Sequence, residues 1–183
     1  MELWLVRHGQ TEWSEAGKHT STTDLPLLED GERDAIALRP RLEPEHFDLV
    51  LTSPRQRARR TAELAGFPDA EVDEDLVEWA YGNDEGRTTE EIREDVPEWT
   101  VWTHGPRGGE TADQVGARCD RVIERVRDVE RALVFGHGHS LRALTARWLD
   151  EPVPFGRHVK LDTATLSTLG FERETPVVLR WNG

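Results

Sequence analysis

Leu5-Val6-Arg7-His8-Gly9-Gln10-Thr11 is an apolar run that breaks into an Arg-His-Gly triplet, and Leu133-Val134-Phe135-Gly136-His137-Gly138-His139 repeats the pattern near the other end of the chain. Each reads as a buried strand that delivers a glycine-flanked histidine at its carboxyl end. Working outward from these two, strands are expected at Glu2–Val6, Asp48–Leu51, Ala132–Phe135, Thr165–Phe171 and Val177–Trp181, with a short one near Val72. Helical periodicity covers Gly31–Leu42, Pro54–Ala65, Thr88–Asp95, Ala112–Val129 and Leu141–Leu149, and Thr111 with Gln114 forms a capping-box pattern ahead of the longest. Strand and helix in alternation imply an α/β fold, a three-layer α/β/α sandwich with a mostly parallel sheet. The last two strands, joined near Glu174-Thr175-Pro176, read as an antiparallel edge hairpin. Ligands in such sheets bind beyond the carboxyl ends of the strands, where His8 and His137 fall.

Two further segments suit the same place. In Thr52-Ser53-Pro54-Arg55-Gln56-Arg57-Ala58, Ser53 is placed as an N-cap with Pro54 as the first helical residue, which puts Arg57 in the first turn, where free backbone N–H groups favour an anion. Leu76-Val77-Glu78-Trp79 sets one carboxylate among apolar neighbours, a candidate general acid. A guanidinium binds phosphoryl oxygens bidentately, and a neutral imidazole attacks phosphorus. Arg7, Arg57 and a protonated His137 would hold the oxygens, and a neutral His8 would be the nucleophile.

With Arg7-His8-Gly9, Ser53-Pro54 with Arg57-Ala58, Glu78 with Tyr81-Gly82, Glu85-Gly86, Gly108-Gly109-Glu110-Thr111 and His137-Gly138 in this order, the chain resembles the histidine phosphatase superfamily, the phosphoglycerate-mutase-like proteins, over nearly its whole length. The resemblance implies transfer of a phosphoryl group to His8, oxygens held by Arg7, Arg57 and His137 beside Gly138, and Glu78 protonating the departing alkoxide before activating water. It also places His19 in a loop facing the substrate. Where many members carry a phosphoryl-binding Asn, this chain has Ser14, a donor of shorter reach. The stretch His8 to Thr20 is similar to the phosphatase branch of actinobacterial acid phosphatase and fungal sedoheptulose bisphosphatase.

Residues 79–110 read as a substrate-facing cap within a single 183-residue domain, with Trp102 and His104 shaping a leaving-group pocket. No cofactor or metal is expected: His8, His137 and His139 have no ligand-spaced carboxylate, and the Arg pair repels a cation. The net charge of −13 argues against nucleic-acid and anionic-membrane partners, leaving a small phosphate ester as the partner. The single cysteine, Cys119, lies on the valine stripe of the long helix and excludes an internal disulfide. With no signal-peptide pattern and no run of transmembrane length, a cytoplasmic location is the expectation. The edge hairpin leaves room for a homodimer. The leading expectation is a metal-independent phosphomonoesterase that favours sugar phosphates. The alternatives are a phosphoglycerate mutase, less favoured because the chain is short around the cap, and a phospho-ligand-binding signalling module with little turnover.

Overall fold

Two apolar faces organise the chain. The computed structural model describes residues 1–183. Its six strands are β1 (Glu2–Arg7), β2 (Leu49–Thr52), β3 (Glu71–Val72), β4 (Arg131–Gly136), β5 (Leu166–Glu172) and β6 (Thr175–Arg180), arranged in the order β3-β2-β4-β1-β5-β6. β1 pairs in parallel with β4, as does β2 with both β4 and β3, while β5 runs antiparallel to β1 and β6 antiparallel to β5. Alternate side chains of one strand feed different cores. Leu3, Leu5, Ala132 and Val134 join a cluster with Val115, Cys119, Val122, Leu141 and Leu144, whereas Trp4, Val6, Leu133 and Phe135 pack on Leu38, Leu42, Ala62 and Ala65. The sheet is thus covered on both faces, as the continuous apolar runs anticipate.

The helices are α1 (Glu12–Glu15), α2 (Glu29–Ala37), α3 (Arg39–Leu42), α4 (Gln56–Leu64), α5 (Thr89–Asp95), α6 (Ala112–Val126) and α7 (Gly138–Trp148). Four of the five expected helices differ by more than one residue, α6 by ending at Val126 instead of Val129. The helix expected over Gly31–Leu42 breaks at Leu38, two residues before Pro40, whose ring supplies no backbone N–H. α4 begins at Gln56 with Arg55, in an extended conformation, as its N-cap, so Ser53 and Pro54 lie outside it, although Arg57 stays in its first turn. α7 begins three residues earlier than expected. The hairpin also turns earlier, at Arg173-Glu174, where Arg173 takes φ 57°.

β4 sits between β1 and β2, and the chain leaves β1 toward the α2–α4 face but leaves β4 toward the α6–α7 face. The carboxyl ends of these neighbours therefore frame the crevice where connections diverge, the usual ligand position in open α/β sheets. Arg7 lies opposite Gly136, and His8 N–H donates to the Gly136 carbonyl at 3.0 Å. Both histidines consequently emerge side by side.

The turn that carries His8 is wedged between two helices. Gly9 N–H donates to Thr61 Oγ1 at 3.0 Å, and Leu28 N–H donates to the Gln10 carbonyl at 2.9 Å. A Cβ on Gly31 would lie 2.3 Å from the Gln10 oxygen and 2.5 Å from its nitrogen, both backbone atoms. Replacing a helical glycine by alanine ordinarily gains up to about 1 kcal/mol. Here the clash reverses the sign: Gly31→Ala is expected to lower the unfolding free energy by about 1–3 kcal/mol in urea titration.

Candidate active site

His8 is 5% exposed, and its Nδ1 lies 2.7 Å from the Gly9 carbonyl. A carbonyl only accepts, so Nδ1 carries the proton and Nε2 keeps its lone pair. Burial, then the positive charges of Arg57 and Arg7, hold the ring's pKa well below the usual histidine value. It is a neutral imidazole with one fixed tautomer.

His137 stands 5.1 Å from His8, ring centroid to ring centroid, and is fully buried. Arg57 Nε–H donates to its Nδ1 at 3.2 Å, which leaves the proton on Nε2, 2.7 Å from Ser53 Oγ. Burial, Arg57 and His8 push its pKa well down. His137 is therefore neutral, which corrects the expectation of a protonated side chain.

Arg57 also differs from expectation. Its guanidinium is fully buried and faces the segment 20–23, with NH1 donating to the Thr23 carbonyl at 3.0 Å and NH2 to those of Thr20 and Ser21 at 3.2 and 3.3 Å. It does not line the cavity described below. What it supplies there is field and position, through His137 and the loop it ties down.

Of the two arginines expected to bind phosphate, Arg7 is the one that lines the cavity. NH1 donates to the Leu161 carbonyl, while Nε is buried without a partner. Gly138 permits this placement, since a Cβ there would come within 3.3 Å of the Arg7 Cζ and Nε.

Glu78, 6% exposed, is clasped by backbone. Its Oε1 accepts from Trp79 N–H at 2.8 Å and Ser140 N–H at 2.7 Å, and Oε2 accepts from His139 N–H at 2.9 Å. The carboxylate thus caps the amino end of α7, whose N-cap His137 provides no side-chain acceptor. This borrowed cap is why α7 starts at Gly138.

Arg7, His8, Glu78 and Gly138 line a cavity of about 260 Å³, with Arg7, Lys18 and Arg142 as its basic residues and Glu78 as its carboxylate, whereas His137, expected to bind phosphoryl oxygens, lies behind the wall with Nε2 on Ser53 Oγ. His8, His19, His139, Tyr81 and Thr89 contribute further walls. The chain's −13 charge is thereby locally reversed. His19 is buried, with Nε2 3.4 Å from Thr89 Oγ1, and burial lowers its pKa.

Other candidates lie elsewhere or serve differently. Ser14 borders the cavity, but its hydroxyl accepts from Thr11 N–H at 2.8 Å and donates to the Thr11 carbonyl at 3.0 Å, closing the capping box of α1. His104 is exposed beside Thr100 and Thr103 and does not reach the cavity. Trp102 is also outside it, buried edge-on against Trp79 with the Arg142 guanidinium 4.7 Å from its ring. From residues 79–110, only Tyr81 and Thr89 line the cavity. Arg142 and His139 were not among the expected binding residues. Arg142 had a readable signal, since it follows Gly138 by four helical positions and so shares its face.

The fold and this polar crevice agree with the comparisons. The description "Histidine phosphatase superfamily (branch 1)" matches residues 3–183, and the chain belongs to that family. It is 40% identical over 178 residues to an acid phosphatase of Mycobacterium tuberculosis, covering 93% of this chain and 86% of the relative. It is 37% identical over 179 residues to sedoheptulose 1,7-bisphosphatase of Saccharomyces cerevisiae, covering 79% of this chain and 66% of that one. A solved structure of a Mycobacterium tuberculosis open reading frame superposes with a TM-score of 0.95 at 38% identity, covering 99% of this chain and 96% of the other. The protein is a phosphoric monoester hydrolase with the phosphoglycerate-mutase-like fold. No helix is long and apolar enough to cross a membrane.

The buried histidines tie stability to pH. The pKa values of His8, His137 and His139 are driven well down, chiefly by burial, and that of His19 is lowered for the same reason. Below pH of about 6.5 the unfolded chain takes up protons at these rings that the folded chain refuses, so acid favours unfolding. Urea titrations are expected to show unfolding free energy falling from pH 7 to pH 5, by up to about 1.4 kcal/mol per pH unit for each such ring. A flat profile through this window would contradict their neutral burial.

Proposed function

We propose that the protein hydrolyses small phosphomonoesters, sugar phosphates foremost, without a metal, through a phosphohistidine on His8. The observation that carries this reading is the His8 tautomer: Nδ1–H is engaged by the Gly9 carbonyl, so Nε2 is the free nucleophile beside a cationic cavity. Arg7 binds phosphoryl oxygens and holds phosphorus against that nitrogen, with Arg142 and Lys18 adding positive charge to the cavity. These fixed cations supply the charge stabilisation that a metal provides in other phosphatases.

In the first step Glu78, which takes up the proton of the bound ester monoanion, gives it to the departing oxygen as His8 Nε2 bonds to phosphorus and the ester P–O bond breaks. Oε2 suits this transfer because it accepts one backbone N–H where Oε1 accepts two. In the second step Glu78 takes a proton from water, the water oxygen bonds to phosphorus, and the N–P bond breaks. Inorganic phosphate and neutral His8 result, and Glu78 is again protonated.

The substrate class is supported by size and lining. About 260 Å³ lies below the range typical of drug-sized ligand sites, and the walls offer Thr11, Thr20 and Thr89 hydroxyls with little apolar surface. The named activities of the acid phosphatase and bisphosphatase relatives support the same reading.

Phosphate release from sugar phosphates, phosphoglycerates, nucleotides and an aryl phosphate, with chelator present, tests it. Turnover is expected in the wild type and only uncatalysed background in His8→Ala. Loss of activity with chelator would overturn metal independence, and transfer dependent on bisphosphoglycerate would indicate a mutase. Glu78→Gln is expected to slow alkyl esters by about 10²- to 10⁴-fold and aryl esters far less, because a good leaving group needs little protonation. Equal losses on both would remove Glu78 from the acid role.

A further inference from the structure

Deep in the cavity wall, Tyr81 Oη lies 2.6 Å from His139 Nδ1. Tyr81 is 2% exposed, and its hydroxyl has no other hydrogen-bond partner. Were Nδ1 the donor, the buried O–H would face nothing that accepts, at the full cost of an unsatisfied donor. The hydroxyl therefore donates and Nδ1 accepts. Burial raises the Tyr81 pKa well above its ordinary value and lowers that of His139 well below, so the phenol keeps its proton and the ring is neutral. The remaining hydrogen sits on Nε2.

The ring is held in this orientation. Trp102 packs edge-on at 5.2 Å between centroids and His19 stacks at 5.8 Å, while Glu78 receives the His139 backbone N–H. Nε2 has no protein partner, yet it is not sealed from solvent, so it opens on the cavity that His139 lines. Its ring neighbours are His19, Tyr81 and Trp102, not the His8–His137 pair. Its donor thus serves the part of a ligand remote from phosphorus.

We propose that Tyr81 is a positioning residue, which fixes His139 as an Nε2–H donor to an oxygen on the alcohol portion of the ester and so favours polyol phosphates over aryl phosphates. This rests on the phosphatase reading above. His139 makes the contact; Tyr81 acts through it.

The test combines a spectrum with kinetics. Long-range ¹H–¹⁵N correlation of the histidine side chains is expected to show His139 protonated on Nε2 in the wild type and a mixture of tautomers in Tyr81→Phe, which keeps the ring packing. With a sugar phosphate, Tyr81→Phe is expected to raise KM about five- to tenfold, the worth of one hydrogen bond, and by less with an aryl phosphate. His139→Gln carries an amide N–H that does not depend on Tyr81, so adding Tyr81→Phe to it should change KM little further. A wild-type ring protonated on Nδ1, an unchanged tautomer in Tyr81→Phe, or an equal KM effect in both backgrounds would overturn the proposal. The spectrum needs no turnover: a protein that hydrolyses no ester but loses the Nε2–H tautomer in Tyr81→Phe would sink the phosphatase reading while leaving the Tyr81–His139 relation standing.

Discussion

The carboxylate of Glu78 at the amino end of α7 is the contact on which the rest of the site depends. It joins a segment with no regular structure of its own to the helix that carries Gly138, His139 and Arg142. A helix start leaves N–H groups unpaired and carries partial positive charge, so a buried carboxylate there is stabilised on both counts. In return, the helix aims Glu78 with backbone donors that cannot rotate away. Side-chain placement and helix capping are one interaction, so a change at Glu78 disturbs both the carboxyl group and the wall it braces.

The second constraint is the pair of guanidinium groups with opposite duties. Arg7 lines the cavity with only NH1 engaged, on the Leu161 carbonyl, whereas the carbonyls of Thr20, Ser21 and Thr23 and the His137 ring surround Arg57. Both charges bear on His8 and favour its neutral form. The same arrangement keeps His137 uncharged, so the positive charge of the cavity comes from arginine and lysine rather than imidazolium. That division leaves His8 neutral, with the lone pair on Nε2.

Much of this was legible in the residues because the determining contacts are local or repetitive. The apolar runs through β1 and β4 declare strands buried on both faces, and the histidines that follow them share one end of a parallel sheet by geometry alone. The capping box at Thr111 and Gln114 marks the start of α6 within the chain's own sequence. Contacts between distant segments were not legible. Nothing near His137 announces that Glu78 would cap its helix, so α7 appeared to begin late and His139 fell outside it. Ser14 stood at a binding position, yet Thr11, three residues away, claims both its hydrogen-bonding directions. His104 shares a stretch with buried tryptophans, but the turn from Thr100 to His104 carries it to the surface.

The loop at Thr20–Thr23 is gripped from two sides. Arg57 takes its carbonyls, while Glu85 accepts Ser21 N–H, Ser21 Oγ–H and Thr23 N–H. Cation on one side and anion on the other leave little backbone free for another partner, even though the segment is neither helix nor strand. One rim of the cavity is thus a fixed sill and not a swinging door. Ester and phosphate pass it by fitting, and the amides of Ser21 and Thr23 are set to exchange with solvent at rates more typical of a sheet than of a loop.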